Sequence, residues 1–523
     1  MGIYVNPGNK AFSRIARKKY VDKTKLIDSM NERISSDDSL VCVSRPRRFG
    51  KSFAANMLTA YYDCSCDSRE LFDSMKIAES ESYEEHINKY NVIWLDVSGF
   101  ISEARRLQKS LEVVSVWIVD AIQNEIPEKI QGQTPNDRLS QFVEETGKQI
   151  IFIIDEWDAM IREAKDDKIA QEAYLNMLRG WFKNGNFTLN VVAAAYMTGI
   201  LPIKKDKKQS AISEFDEISM LDPADFAEFV GFTEEEVKTL CKGNLPTFED
   251  VKAWYDGYDL SGVGSIYNPY SVMKALKSGK CKSYWRKTSA AESLKDYINM
   301  DFKGLQETIA RLIAGERILV NVDSFQNDFE TFESADDVLT LLIHLGYLTY
   351  HEAEKSVEIP NEEVRNEFKD FLVQRRVNSE WMSLIKRSQK LLEDTIAGRS
   401  EDVAAAMEEI RAEQYAPQFY NNEQSLRAVI KYAYLVTVGQ YIELEEIPGG
   451  KGIADVSFIP ASLSRLPAMV VELKWNKTAG GAISQIKEKK YTAKLKPFAG
   501  NILLVGINYD EKTGKHTCMI EKA

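Results

Sequence analysis

The stretch Ser39-Leu-Val-Cys-Val-Ser44-Arg-Pro-Arg-Arg-Phe-Gly-Lys-Ser52 constrains this chain more than any other. Its short apolar, β-branched run predicts a buried strand, and Phe53, Ala54, Ala55, Met57 and Leu58 predict a helix beyond the loop. Strand, loop and helix in that order aim the first backbone N–H groups of the helix, and the positive end of its dipole, at a bound phosphate. Lys51 is then placed to reach the β- and γ-phosphates of ATP, and the Ser52 hydroxyl to hold Mg²⁺. Arg45, Arg47 and Arg48 carry guanidinium groups suited to phosphate. With Phe49 and Gly50 they complete the candidate nucleotide loop. Gly-Lys-Ser alone also occurs in surface turns, and the first glycine of the usual loop is here Arg45, followed by Pro46.

A second segment supplies what the loop lacks. Gln149-Ile-Ile-Phe-Ile-Ile-Asp155-Glu156 runs five large apolar residues into two carboxylates, the pattern of a buried parallel strand ending at a catalytic edge. Asp155 is the candidate Mg²⁺ ligand and Glu156 the candidate general base for the attacking water. Asn91-Val-Ile-Trp-Leu-Asp96 reads as an intervening strand. Asn190-Val-Val-Ala-Ala-Ala-Tyr-Met-Thr198 reads as another, with Thr198 a candidate γ-phosphate sensor. Strands alternating with helices predict an α/β, doubly wound sheet. No arginine finger is identified; Arg162 and Arg179 merely lie in suitable stretches.

Bulk properties exclude several classes. At 523 residues the chain exceeds one core and predicts two to four domains. There is no run of about 18 apolar residues for a membrane span and no apolar signal segment, so a cytoplasmic protein is expected. Six scattered cysteines form no disulfide or zinc framework. Four isolated histidines leave carboxylates, lysines and oxygen-bound metal to carry any chemistry. Net charge is −12, unlike a general nucleic-acid coat, yet from Val471 onward ten lysines face five acids. That surplus suits a solvated face or a local phosphate-binding surface.

Tyr20-Val-Asp-Lys-Thr24, the arginine-rich loop, Thr198-Gly199-Ile200, Gly231-Phe-Thr-Glu-Glu-Glu-Val237, Trp254-Tyr-Asp-Gly-Tyr258, Tyr267-Asn-Pro269, Tyr284-Trp285 and Thr288-Ser289 together resemble a family. It is the AAA-ATPase-like family found in bacteria, whose members typically carry a C-terminal PD-(D/E)XK nuclease domain. The resemblance covers about the first 290 residues and implies a P-loop NTPase sheet with a helical lid. In that family the arginine-rich loop replaces the front glycine. Trp254, Tyr255 and Tyr258 read as core or lid packing.

Residues 291–415 read as a mainly helical connector or a small winged-helix-like module, with a capped helix starting at Ser334-Ala-Asp-Asp-Val338. Chemistry returns after it. Glu423 opens an apolar-spaced helix, Asp455 heads a strand, and Ala468-Met-Val-Val-Glu472-Leu-Lys474-Trp is a second apolar strand. Side chains two apart share a strand face, so Glu472 and Lys474 point the same way. Two carboxylates and a lysine suit a metal-dependent phosphodiesterase: Asp455 and Glu472 bind a hard cation, which acidifies its water, and Lys474 stabilises developing charge. Glu-x-Lys or Asp-x-Lys also occurs at Glu236, Glu367 and Asp510, in polar helical or turn sequence. Only Glu472 follows an apolar strand. The segment 416–510 resembles the PD-(D/E)XK fold, with Glu423 as its helix acid, Asp455, Glu472 and Lys474 as its strand motif, and Gln485 at a further helix position.

The sequence thus predicts an ATPase domain over 1–290, a connector over 291–415 and an α/β restriction-endonuclease-like domain over 416–523. ATP and Mg²⁺ are the expected cofactors, with Mn²⁺ as the alternative at the nuclease site, and DNA is the expected partner. The rival reading is a nucleotide-dependent switch or scaffold whose nuclease fold binds without cleaving. In a third, the P-loop is purely structural and the chain a simple nuclease.

Overall fold

The computed structural model describes residues 2–17, 20–203, 212–260, 263–285, 297–298, 302, 304–326, 332–373, 379–414, 423–437, 441–444, 456–460, 466–488, 495, 498 and 500–523. Of 369–373, 379–382, 412–414, 423–426, 444 and 488 it describes the backbone alone. The chain forms two compact units: Met1–Tyr284 with Val320–Lys355, and Trp285–Leu319 with Ser356–Ala523. The stretch 291–415 is therefore divided between them rather than forming a body of its own.

The first unit is built on β1 (Leu40–Ser44), β2 (Asn91–Asp96), β3 (Ile150–Asp155), β4 (Val192–Gly199) and β5 (Asp216–Ile218). All neighbours pair parallel, in the order β2-β3-β4-β1-β5. Strands covered on both faces must be apolar throughout; every residue of β1, β3 and β4 is buried. The strand between β1 and β3 is β4. Asn91–Asp96, expected to intervene, lies at the edge beyond β3. Its exposed backbone is partly covered by the N-terminal segment, where Trp94 N donates to Tyr4 O at 2.8 Å and Asn6 N to Val92 O at 2.8 Å.

A small module follows, with β6 (Phe232–Thr233), β7 (Tyr258–Leu260) and β8 (Gly264–Tyr267) in an antiparallel sheet. Tyr255 and Tyr258 are buried in it, the packing role expected of them, with Trp254 half-buried beside them; Tyr267 is buried there as well. Three short strands come next: β9 (Ile318–Leu319), β10 (Thr349–His351) and β11 (Ser356–Glu358). Between β9 and β10, the helix Ala335–Leu345 carries the anticipated cap, a reciprocal Ser334–Asp337 capping box.

The second unit is dominated by β12 (Tyr441–Leu444), β13 (Val456–Pro460), β14 (Ala468–Trp475), β15 (Ile502–Asp510) and β16 (Lys515–Lys522), hydrogen-bonded in that order. Only β14 and β15 are parallel. The helix Ala479–Glu488 supplies the crossover that a parallel pair requires. Ile483 and Ile486 of this helix bury against Ala468 and Val470 of β14 and Ile502 and Leu504 of β15.

Candidate functional site

The loop after β1 is held from several sides. Gly50 (φ 100°) and Arg48 (φ 71°) are left-handed, which turns the backbone sharply into the helix Lys51–Tyr62. Phe49 is buried and meets Tyr258 edge-on at 5.1 Å, so its side chain anchors the loop. Asn268, the cap of the helix Pro269–Ser278, donates to Arg47 O at 3.4 Å. The Tyr267-Asn-Pro269 motif thereby acquires a physical role that the sequence did not reveal.

The arginines depart from expectation. Arg45 is fully buried and donates to the carbonyls of Ser44 at 3.2 Å and Ser219 at 2.6 Å. Burial lowers its pKa to about 10. It ties the loop to the turn after β5, and its guanidinium is not presented to phosphate as expected. Arg48 donates to Tyr284 O at 2.9 Å and lies 4.1 Å from the centre of the Tyr270 ring, so it too is engaged in packing. Arg47 is half-buried.

Lys51 is buried, with its ammonium on Arg45 O at 2.8 Å and Pro46 O at 2.9 Å. Burial pulls its pKa down to about 8, against the opposing pull of Asp155, Asp158 and Glu156. Ser52, next in the chain, is exposed.

The acids line up opposite. Asp155 ends β3 and accepts a hydrogen bond from the Thr198 hydroxyl at the end of β4. Thr198 Oγ1 in turn accepts from Glu156 N at 3.3 Å. Because β4 separates β1 from β3, Thr198 lies in the strand between the loop and the acid pair. Glu156 has φ 52°, a conformation uncommon outside glycine and recurrent at functional turns. Its carboxylate receives Arg162 Nη2 at 2.9 Å.

The Arg162 side chain is only 8% exposed and is bonded through Nε to Asp158 at 3.1 Å. It is thus an internal clamp on this site, and Arg179 pairs with Glu172 at 2.8 Å on its own helix. Asp158, overlooked in the sequence, is buried and accepts from Ile200 N and Leu201 N at 3.0 Å each. It fixes the chain just after β4. A third carboxylate three residues past the end of an apolar strand was its available signal.

In the second unit, Glu472 and Lys474 share the β14 face on which the helix Ala479–Glu488 packs. Glu472 is completely buried, and Lys474 Nζ lies 2.6 Å from its Oε1. Gln485 sits half-buried on that helix. Glu423 begins the helix Glu423–Ala433, of which the backbone is described there. Asp455 lies outside the described residues; β13 begins at the next residue, Val456, which pairs with Val471. Among the described residues, no three His, Cys, Asp or Glu side chains converge as a metal cage.

A wholly parallel sheet carrying a glycine-lysine-serine loop at one strand end and paired acids at another defines a P-loop, nucleotide-site-like α/β unit. Residues 7–208 match the model of the AAA-ATPase_like family, described as predicted AAA-ATPase. The match spans β1 to β4 and makes this region AAA-ATPase-like. Among solved structures, the chain is similar to the Aeropyrum pernix ORC2 protein in ADPNP–ADP complexes, at 12% identity, 69% of this chain, 98% of that chain and a TM-score of 0.34. It is also similar to Cdc6p from Pyrobaculum aerophilum, at 10% identity, 64% of this chain, 88% of that chain and a TM-score of 0.24. Curated proteins give no match. No helix among the described residues is long and apolar enough to cross a membrane.

Proposed function

We propose that the first unit binds and hydrolyses ATP and that residues 416–523 form a Mg²⁺-dependent nuclease domain acting on DNA. The observation that carries the ATPase reading is the burial of Lys51 against two carbonyls, with Asp155 also buried and hydrogen-bonded by Thr198. A buried ammonium is costly unless it meets an anion, and a di- or triphosphate is that anion. Lys51 orients the phosphates, Thr198 positions the Asp155 carboxylate, and Glu156 takes the proton of the attacking water once it parts from Arg162. The oxygens of Ser52 and Asp155 suit a hard cation, and bound Mg²⁺ would neutralise phosphate charge. Lys51→Ala should abolish nucleotide binding, and Glu156→Gln should slow turnover by roughly 10²–10⁴-fold while leaving binding intact. Turnover unaffected by both changes overturns the ATPase reading.

The nuclease reading is supported by the buried Glu472 beside Lys474, and by Val456 and Val471, sequence neighbours of Asp455 and Glu472, pairing across β13 and β14. Asp455 and Glu472 would hold the metal and Lys474 would stabilise charge on the phosphate. Mg²⁺-dependent cleavage of plasmid and single-stranded DNA should vanish in Glu472→Ala and in Lys474→Ala; cleavage that survives them refutes the assignment. The switch reading has one observation in its favour, the Arg162 clamp on Glu156. Nucleotide that binds and is never turned over by the intact chain would decide for it.

A further inference from the structure

A cleft of about 640 Å³ opens in the first unit, beside the helix Lys51–Tyr62. One wall is the helix Lys10–Ala16 with its cap, presenting Lys10, Arg14 and Arg17. Spacings of four and three residues put these cations on one helix face, about 6 Å and 4.5 Å apart along the axis. All three are exposed, and none forms an ion pair with a described residue. Asn56 and Thr59 of the helix Lys51–Tyr62 also line it, and Trp94 of β2 contributes an aromatic side chain. The Trp94 indole N–H is shielded from solvent and has no hydrogen-bond partner among the described residues.

Among the described residues, no carboxylate lines the cleft. Nearby Glu125 is committed to the N–H groups of Ile3 at 2.8 Å, Tyr4 at 2.8 Å and Val5 at 2.7 Å. Charge in the surrounding sequence is one-sided: the first acid is Asp22, and Lys18 and Lys19 follow Arg17, in a chain whose net charge is −12. A concave, cationic, carboxylate-free surface with an aromatic side chain fits a flexible polyanion that carries rings. It fits a flat anionic bilayer poorly, and a peptide of acidic residues alone has no ring to place on Trp94.

We propose that this cleft binds single-stranded nucleic acid, with Lys10, Arg14 and Arg17 on its phosphates and Trp94 against a base. The site lies in the first unit and does not depend on the nuclease reading. Asn56 also donates to Ser52 O at 2.6 Å, so an occupied cleft touches a residue bonded to the nucleotide loop.

The test is fluorescence anisotropy of a labelled oligothymidylate with the full chain and EDTA, which holds any cleavage apart. Lys10→Ala/Arg14→Ala/Arg17→Ala should weaken binding at least about tenfold and flatten the log–log salt slope by about 2, three phosphate contacts at about 0.7 each. Trp94→Leu should weaken it by roughly 5- to 100-fold, whereas Trp94→Phe, which keeps a ring, should restore most of the loss. Lys129→Ala, at an exposed lysine elsewhere, should leave affinity unchanged. Unaltered affinity in the triple variant, shown folded by circular dichroism, overturns the proposal. So does equal competition by polyglutamate, or capture by phosphatidylserine vesicles lost in the triple variant while oligonucleotide binding persists. Loss of Mg²⁺-dependent cleavage in Glu472→Ala is read separately, so either proposal can fail without the other.

Discussion

Lys51 makes the ATP reading testable by pH alone. Burial holds its pKa near 8, so below pH 8 the free protein carries the ammonium and above it the neutral amine. Bound phosphate favours the ammonium and raises that pKa, so binding above pH 8 must take up a proton. Nucleotide Kd should therefore be nearly level from pH 6.5 to 7.5 and rise about tenfold per unit above pH 8. Calorimetry in buffers of different ionisation enthalpy should show the proton taken up. Lys51→Arg, which stays charged, should bind more weakly but lose this pH dependence. The positions of Asp155 and Thr198 were legible because each closes an apolar run that reads as a strand, and that of Lys51 because its loop stands between such a run and a helical one. Arg45 was not. Its charge suggests phosphate, and only the fold shows the guanidinium turned inward onto Ser219 O. Asp158 escaped because its role depends on the N–H groups of Ile200 and Leu201, forty-odd residues away.

Gly506 of β15 pairs with Glu472 of β14. A side chain there would overlap the carbonyl of Ala479, with Ile483 Cγ1 at 3.0 Å and Ala482 Cβ at 3.1 Å. The bare backbone thus lets the crossover helix sit against the sheet in register with the candidate acid. Gly506→Ala should force this helix outward and destabilise the fold by about 1–3 kcal/mol, read by denaturant unfolding. Cleavage should fall with it in Mg²⁺, while ATP turnover by the first unit stays within about twofold. The elements themselves were readable, since β1, β3, β4 and β14 are apolar runs with polar ends. Their order was not. Asn91–Asp96 reads as a strand that intervenes between β1 and β3 in the sequence, and nothing in its composition says that it takes the edge of the sheet, where residues 4–6 cover it. Crossover packing, and not strand composition, decides which parallel strands become neighbours.

Whole-molecule organisation was the least legible level. A helical pattern reports an apolar face but not what covers it, so 291–415 reads as one connector while 320–355 packs with the first unit. The chain consequently passes between units after Tyr284, after Leu319 and after Lys355. Three covalent crossings offer a route by which nucleotide state could bias the second unit, and this gives the coupled reading a specific signature. If ATP drives cleavage, Lys51→Ala should reduce Mg²⁺-dependent DNA cleavage at least about tenfold although Glu472 and Lys474 are untouched. Conversely, Glu472→Gln should abolish cleavage and leave ATP turnover within about twofold. Cleavage by Lys51→Ala equal to that of the unaltered chain, with and without ATP, would show two independent activities on one polypeptide. Cleavage rising when ATP is omitted would instead make the first unit a brake, with Arg162 on Glu156 as the contact to remove next.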